Sequence, residues 1–228
     1  MDRVVSFKKP RALIFDVDGT MAETEETHRK SFNMAFADAG LDWNWNTAAY
    51  AELLTTTGGK ERISRYVAEQ KIEHISPADI ANIHATKNRI YTDSLMNGGL
   101  SLRPGIARLI SDAKVANLKL GIATTTSRSN LVALLLCCFG PDGENKFDAV
   151  VCGEDVKRKK PDPEVYVSCL AKLQVEPREA IAFEDSGVGL KAALAAGLRT
   201  VITPSIFTTK YNFSGASEVL ADLTQFKL

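Results

Sequence analysis

A chain of 228 residues is long enough to bury a sizeable core, and its length suits one domain carrying an insertion. Lysine plus arginine and aspartate plus glutamate both number 28, so there is no net field to favour nucleic acid or an acidic membrane surface. The four cysteines (Cys137, Cys138, Cys152, Cys169) show no paired metal-ligand spacing and suit free thiols in a reducing, cytoplasmic setting.

In chain order, Met1 to Pro10 is basic but has no apolar centre, so it does not read as a secretory signal. The first predicted element is a short apolar strand, Ala12–Phe15, that runs into Asp16-Val17-Asp18-Gly19-Thr20. Positions i and i+2 of a strand share a face, so Asp16 and Asp18 should emerge side by side where the strand stops. Two carboxylates that close repel each other unless a cation or a reaction uses them. A hard divalent ion such as Mg2+ prefers oxygen ligands and commonly shares them with a substrate phosphate. A calcium-binding loop is excluded, because counting from Asp16 puts glycine at position four and Thr27 at position twelve, where glutamate is required. The pattern points to metal-assisted phosphoryl transfer.

From Thr24 to Asn97 the sequence shows helical segments and no strand. Thr27–Ala39 carries Phe32, Ala35, Phe36 and Ala39 at helical spacing. Ser76-Pro77-Ala78-Asp79 has the form of a capping box with proline at the first helical position, opening a helix to about Met96. Asn97-Gly98-Gly99 then punctuates the return to strand–helix alternation. The expected organisation is a core of residues 1–24 and 98–228, with a helical insertion over 25–97 hinged near Thr24 and Gly98. Trp43, Trp45 and Tyr50 are assigned to the core of that insertion.

Beyond it, a helical pattern at Ile106, Leu109, Ile110 and Ala113 precedes the apolar run Leu118–Ala123. Leu131–Phe139 is the longest apolar run and is far too short to span a bilayer. Further short runs at Ala149–Cys152, Ala180–Phe183 and Thr200–Ile202 alternate with helix-length segments, which argues for a parallel sheet covered on both faces. Ligands of such sheets collect beyond the carboxyl ends of the strands. Three of these ends carry chemistry. Thr124-Thr125-Thr126-Ser127 offers hydroxyls and N–H groups for phosphate oxygens. Lys160-Pro161 places a cation that could neutralise both a carboxylate nucleophile and a phosphate. Glu184-Asp185-Ser186 adds the further carboxylate that a cation between Asp16 and Asp18 needs. Gly187-Val188-Gly189-Leu190-Lys191-Ala192 matches GxGxxA, but it does not follow the first strand of its unit, so it is read as a tight turn with close helix packing.

Each of these features alone is common in surface turns; their order, at the ends of separate strands, is specific. The set of DxDGT at Asp16–Thr20, Thr124, Lys160 and Glu184-Asp185 resembles the haloacid dehalogenase superfamily, largely phosphatases, over nearly the whole chain. The insertion is similar to the helical cap of its β-phosphoglucomutase-like branch. The resemblance implies an α/β fold, a Rossmann-like parallel-sheet core with an inserted all-helical cap. It implies Asp16 as a nucleophile forming an aspartyl-phosphate, and Asp18 as proton donor and then base. Thr124 and Lys160 would hold the phosphate. Mg2+ would lie between Asp16, the Asp18 carbonyl and Asp185, with Glu184 supporting it. The presence of Asp18 speaks against dehalogenation, since the superfamily's dehalogenases lack that second aspartate.

Substrate choice is expected in the cap, from Glu25, Glu26 and His28 and from the loop Thr57–Arg62, with Gly59, Lys60 and Arg62 suited to a second phosphate; Thr125 and Thr126 would assist at the first. The stretch from Glu23 through Asp42-Trp43 to Ile63 is similar to the CbbY-type group, whose members resemble phosphatases of xylulose-1,5-bisphosphate, an inhibitor of Rubisco. Met21 departs from the common DGTL pattern. The expected partner is a small phosphorylated sugar, bound by a monomer with no nucleic acid and no membrane. Two rivals stay open within the chemistry: a phosphosugar mutase, against which Thr20 speaks, and a phosphoglycolate phosphatase. A third is a non-catalytic binding protein that kept the fold.

Overall fold

The computed structural model describes residues 9–228; most of the N-terminal stretch weighed above as a secretory signal lies outside them. The chain opens with β1 (Ala12–Phe15) and then four helices without a strand: α1 (Glu25–Asp38), α2 (Thr47–Leu53), α3 (Gly59–Glu69) and α4 (Pro77–Gly98). Alternation follows, through α5 (Ile106–Val115), β2 (Lys119–Ala123), α6 (Arg128–Phe139), β3 (Ala149–Val151), α7 (Glu164–Leu173), β4 (Ala180–Glu184), α8 (Gly187–Ala195), β5 (Arg199–Ile202) and β6 (Glu218–Val219). The strands form one parallel sheet in the order β3-β2-β1-β4-β5-β6. The apolar runs predict this parallel sheet, and the fold is the Rossmann-like α/β architecture that the resemblance implies.

Alternation along β1 explains how both faces are covered. Leu13 and Phe15 join a cluster with Leu120, Ile122, Ile181, Phe183 and residues of α5 and α6. Ala12 and Ile14 face the other way, with Ala180, Ala182 and the buried sides of α7 and α8. Phe15 and Phe183 stack at 4.9 Å between ring centroids, and each buried ring of this kind contributes about 1.5–3 kcal/mol. The four helices after β1 have their own aromatic centre in Phe32, Phe36, Trp45 and Tyr50. Trp45 and Tyr50 are buried there as expected, whereas Trp43 is only partly buried at its margin. This helical segment is not detached from the sheet: Tyr91 and Leu95 of α4 belong to the sheet's cluster, and Phe207 of the β5–β6 loop packs into the aromatic centre.

Element ends follow local chemistry. The box at Ser76 forms as read, with Asp79 N–H donating to the Ser76 hydroxyl at 3.2 Å and Ser76 N–H to the Asp79 carboxylate at 2.9 Å. Asn46, Ser127 and Ser186 cap α2, α6 and α8 in the same way. At α7, Pro163 is the cap and the helix proper begins at Glu164. β6 is an addition to the expected strands; its two exposed residues carry no apolar signature.

Candidate active site

The register brings the predicted loops together. Phe15 lies level with Ile122 on one side and Phe183 on the other, so Asp16, Thr124 and Glu184 leave adjacent strands at nearly one height. Asp16 N–H continues the ladder by donating to the Phe183 carbonyl at 3.0 Å. The turn behind it depends on Gly19: its φ is +80°, and any Cβ there would run into the Asp185 carboxylate.

Lys160 is buried and spends all three of its donors. It reaches Asp16 Oδ1 at 2.6 Å, Glu184 Oε1 at 2.7 Å and the Ala123 carbonyl at 2.9 Å. Tyr166 donates to the same Glu184 oxygen at 2.6 Å. Burial disfavours the Lys160 ammonium, but Asp16 and Glu184 outweigh it and raise its pKa. One ammonium does not balance the carboxylates. Asp16, Glu184 and Asp185 offer oxygens within 4.8 Å of one another, all buried. Burial pushes the Asp16 carboxyl up to about 8; Lys160 opposes this, and Glu184 and Asp18 add to it. Burial, then Glu184 and Asp16, drive Asp185 well above the carboxylate range. This excess of buried negative charge fits a hard cation held by oxygen ligands. Glu184 is the ligand already half used, by Lys160 and Tyr166.

The Asp18 carboxylate stands apart from that cluster; the resemblance assigns its backbone carbonyl, not its side chain, to the metal. Thr24 donates to Asp18 Oδ1 at 2.6 Å and His28 Nε2 lies 3.1 Å from the same oxygen, drawing it toward α1. Only its backbone carbonyl remains for that role. His28 Nδ1 in turn lies 2.7 Å from Lys87 Nζ, and the ring stacks on Tyr91 at 3.9 Å. As an ammonium Lys87 can only donate, and in that form it fixes the neutral tautomer in which His28 Nε2–H donates to Asp18. Burial would raise the Asp18 pKa, yet His28, Thr24 and Lys87 together lower it. Burial lowers His28, helped by Lys87, and burial brings Lys87 down to about 7. The sequence reading missed Lys87. Its signal was position: it occupies the stripe of Ile80, Ile83, Ile90 and Tyr91 on α4, where an apolar residue is due.

Above these groups is a cleft of about 500 Å3. Asp16, Asp18, His28, Thr124, Thr125, Thr126, Lys160, Glu184 and Asp185 all line it. Thr124 is buried, and its hydroxyl accepts from Thr126 N–H at 3.2 Å, folding the hydroxyl loop over the end of β2. The helical segment supplies the opposite wall with Glu25, Gly59, Lys60 and Arg62. Tyr50 joins two of them, donating to Glu25 at 2.7 Å and accepting from Arg62 at 2.8 Å. Arg62 is buried over the Phe32 and Tyr50 rings rather than solvated, while Lys60 is exposed at the rim. Gly59 must lack a side chain, because a Cβ there would meet the His84 ring.

Glu26 is not brought to the cleft. It follows Glu25 by one residue, a turn of about 100° round the helix, and its carboxylate is held by Arg29 at 2.7 and 2.8 Å. The expectation of a substrate contact there is corrected to an ion pair on the helix surface. His84, Asn88, Asn130, Lys159 and Tyr211 line the cleft without having been anticipated. Two bonds clasp its walls: Lys159 to Glu61 at 2.6 Å, and Thr57 Oγ1 to the Lys160 carbonyl at 2.5 Å.

The haloacid dehalogenase-like hydrolase family model matches residues 13–203. The chain is 48% identical over 209 residues to protein CbbY of Cereibacter sphaeroides, covering 92% of this chain and 90% of that one. It is similar to a crystal structure of a CbbY variant from Rhodobacter sphaeroides in complex with xylulose-1,5-bisphosphate, with TM-score 0.91, 46% identity, and coverage of 95% and 96% of the two chains. A β-phosphoglucomutase from Clostridium difficile shares the fold, with TM-score 0.80, 24% identity, and coverage of 96% and 93%.

Proposed function

The chain belongs to the haloacid dehalogenase-like hydrolase family and is a phosphatase of that kind, and we propose that its substrate is a small sugar phosphate, xylulose-1,5-bisphosphate first. The observation that carries the substrate is the likeness, at 46% identity, to CbbY holding that bisphosphate. In this reading the helical segment is a cap that closes the sugar over the strand ends.

Asp16 attacks the phosphorus and the sugar oxygen leaves, giving an aspartyl-phosphate. Lys160 holds Asp16 by a charge-assisted bond and, with Thr124 and its loop, faces the phosphate oxygens. Asp18 donates a proton to the leaving oxygen and then takes one from the water that hydrolyses the intermediate. The bonds from His28 and Thr24 keep Asp18 ionised, and burial acts the other way. Turning the carboxyl from His28 toward the bound substrate therefore raises its proton affinity, so that it takes up a proton from solvent before passing it to the leaving oxygen. Asp16 and Asp185, with Glu184 and the Asp18 carbonyl, would hold Mg2+, which when bound neutralises charge on the transferring phosphate. Arg62 and Lys60 suit a second phosphate on the substrate, and Glu25 suits a sugar hydroxyl. Every group named comes from one chain, so a monomer suffices, and the expected compartment is the cytoplasm; no helix of the described residues is long and apolar enough to cross a membrane.

The test is free-phosphate release from a panel including xylulose-1,5-bisphosphate, phosphoglycolate and β-glucose-1-phosphate, with and without Mg2+. Mg2+-dependent release that is fastest from the bisphosphate supports the reading. Conversion of β-glucose-1-phosphate to the 6-phosphate with little free phosphate would replace it by a mutase.

A further inference from the structure

Six buried side-chain polar atoms among the described residues have no hydrogen-bond partner, and three belong to residues lining the cleft: Arg62 Nε, Asn130 Oδ1 and the Tyr211 hydroxyl. A buried polar atom without a partner is costly, and native structures hold few of them. Half of those seen here belong to side chains of one cleft, which a bound ligand could draw round to supply the missing partners.

Arg62 is already placed by the proposed second phosphate; Asn130 and Tyr211 have no role yet. Asn130 sits in the first turn of α6 and its amide nitrogen donates to Asn88 Oδ1 at 3.2 Å. That bond leaves the Asn130 carbonyl oxygen as an open acceptor. Tyr211 lies in the β5–β6 loop, and burial first, with Asp185 and Glu25, holds its hydroxyl protonated while Arg62 opposes. The two follow β2 and β5, one in the first turn of α6 and one in a loop, and these strands flank β1 and β4 in the sheet. Three strand spacings, about 14 Å of backbone, separate those strands. Asp16 and Asp185 lie between them, so a short sugar chain over the carboxylates would have one open acceptor and one open donor at its sides.

We propose that Asn130 and Tyr211 are specificity-determining residues that read hydroxyl groups of the substrate, Asn130 accepting and Tyr211 donating, so that the cleft prefers polyhydroxylated phosphates to phosphate esters without hydroxyls. The assignment rests on the sugar-phosphatase reading and deepens it. A site built to bond a hydroxyl discriminates strongly against a ligand that lacks one, because its own polar atoms then stay unpaired.

The experiment compares kcat/KM for xylulose-1,5-bisphosphate and for phosphoglycolate, which has no hydroxyl, in the wild type, Tyr211→Phe and Asn130→Ala. Each variant should lower the ratio of the two by about tenfold, the worth of one lost hydrogen bond. Tyr211→Phe keeps the ring and removes only the unpaired hydroxyl, so its melting temperature should equal or exceed that of the wild type. A ratio within about twofold of wild type in either variant overturns the role of that residue. A Tyr211→Phe protein that melts earlier overturns the orphan hydroxyl on which the assignment stands. A wild type that shows no preference for the sugar phosphate overturns the sugar-phosphatase reading itself, an outcome distinct from a preference that survives in the variants.

Discussion

An ammonium inside a protein needs anions around it, and Lys87 has few. It is buried over the Phe32 and Tyr91 rings, with His28 as its bonded neighbour, Asp18 and Glu25 favouring its charge, and Arg62 opposing it. Its pKa falls from 10.5 to about 7 as a result, with burial as the main cause. Between those values the unfolded chain keeps a proton that the folded chain has lost, so stability rises with pH through this window. Below about pH 7 the whole penalty is present, on the order of 5 kcal/mol for a shift of that size. Lys87→Met should therefore raise the melting temperature most near about pH 6 and progressively less toward about pH 10. A gain that stays constant across this range would show that the folded Lys87 keeps its proton. The same variant should lose about 100-fold in kcat/KM, since nothing then fixes the His28 tautomer that orients Asp18. Legibility at this scale followed sequence context. Asp16, Thr124 and Glu184-Asp185 were readable because each ends an apolar run, and Lys160 because Pro161 and Pro163 follow it just before α7. Lys87 was readable only as an interruption in an apolar stripe, and Tyr211, in a loop without periodicity, had no local signal.

Helix α4 carries His84, Lys87 and Asn88 to the cleft and packs Tyr91 against the sheet, so its start bears on the site through the whole length of the helix. The Ser76 box satisfies backbone donors that would otherwise be open at that end. Ser76→Ala should cost about 1 kcal/mol, a fall of about 2–4 °C in melting temperature for a chain of this size. Turnover should stay near wild type, because the box lies several turns from Lys87; a large loss of activity with little loss of stability would contradict that separation. This helix is legible in the sequence because a capping box and a proline mark its start, and a glycine pair its end. The start of α3 is less legible, since its N-cap Gly58 makes no side-chain capping bond. β6 carries no such mark, and its two exposed residues form a strand only because β5 lies beside them.

The arrangement that gathers the carboxylates belongs to the molecule as a whole. Apolar runs announced the strands, but the order that seats β1 between β2 and β4 depends on contacts between residues more than 100 positions apart. Folding this sheet forces Asp16, Glu184 and Asp185 together, and burial first, with the neighbouring carboxylates adding to it, raises the pKa values of Asp16 and Asp185. A cation that binds only the folded sheet should return stability by mass action, about 2.7 kcal/mol at a hundredfold excess over its dissociation constant. Mg2+ should thus raise the melting temperature by roughly 5–10 °C, and Asp185→Asn should lose most of that rise. The sign of the pH dependence is fixed by the same groups. With Asp16 raised to about 8, a cation binding below that pH must displace protons. Its apparent dissociation constant should therefore fall as pH rises toward about 8, by up to tenfold per unit for each proton released. Titrating Mg2+ against the melting temperature at several pH values measures both effects. A midpoint indifferent to Mg2+ at every pH would remove the cation from these carboxylates, and leave Lys160 as the charge that must offset them alone.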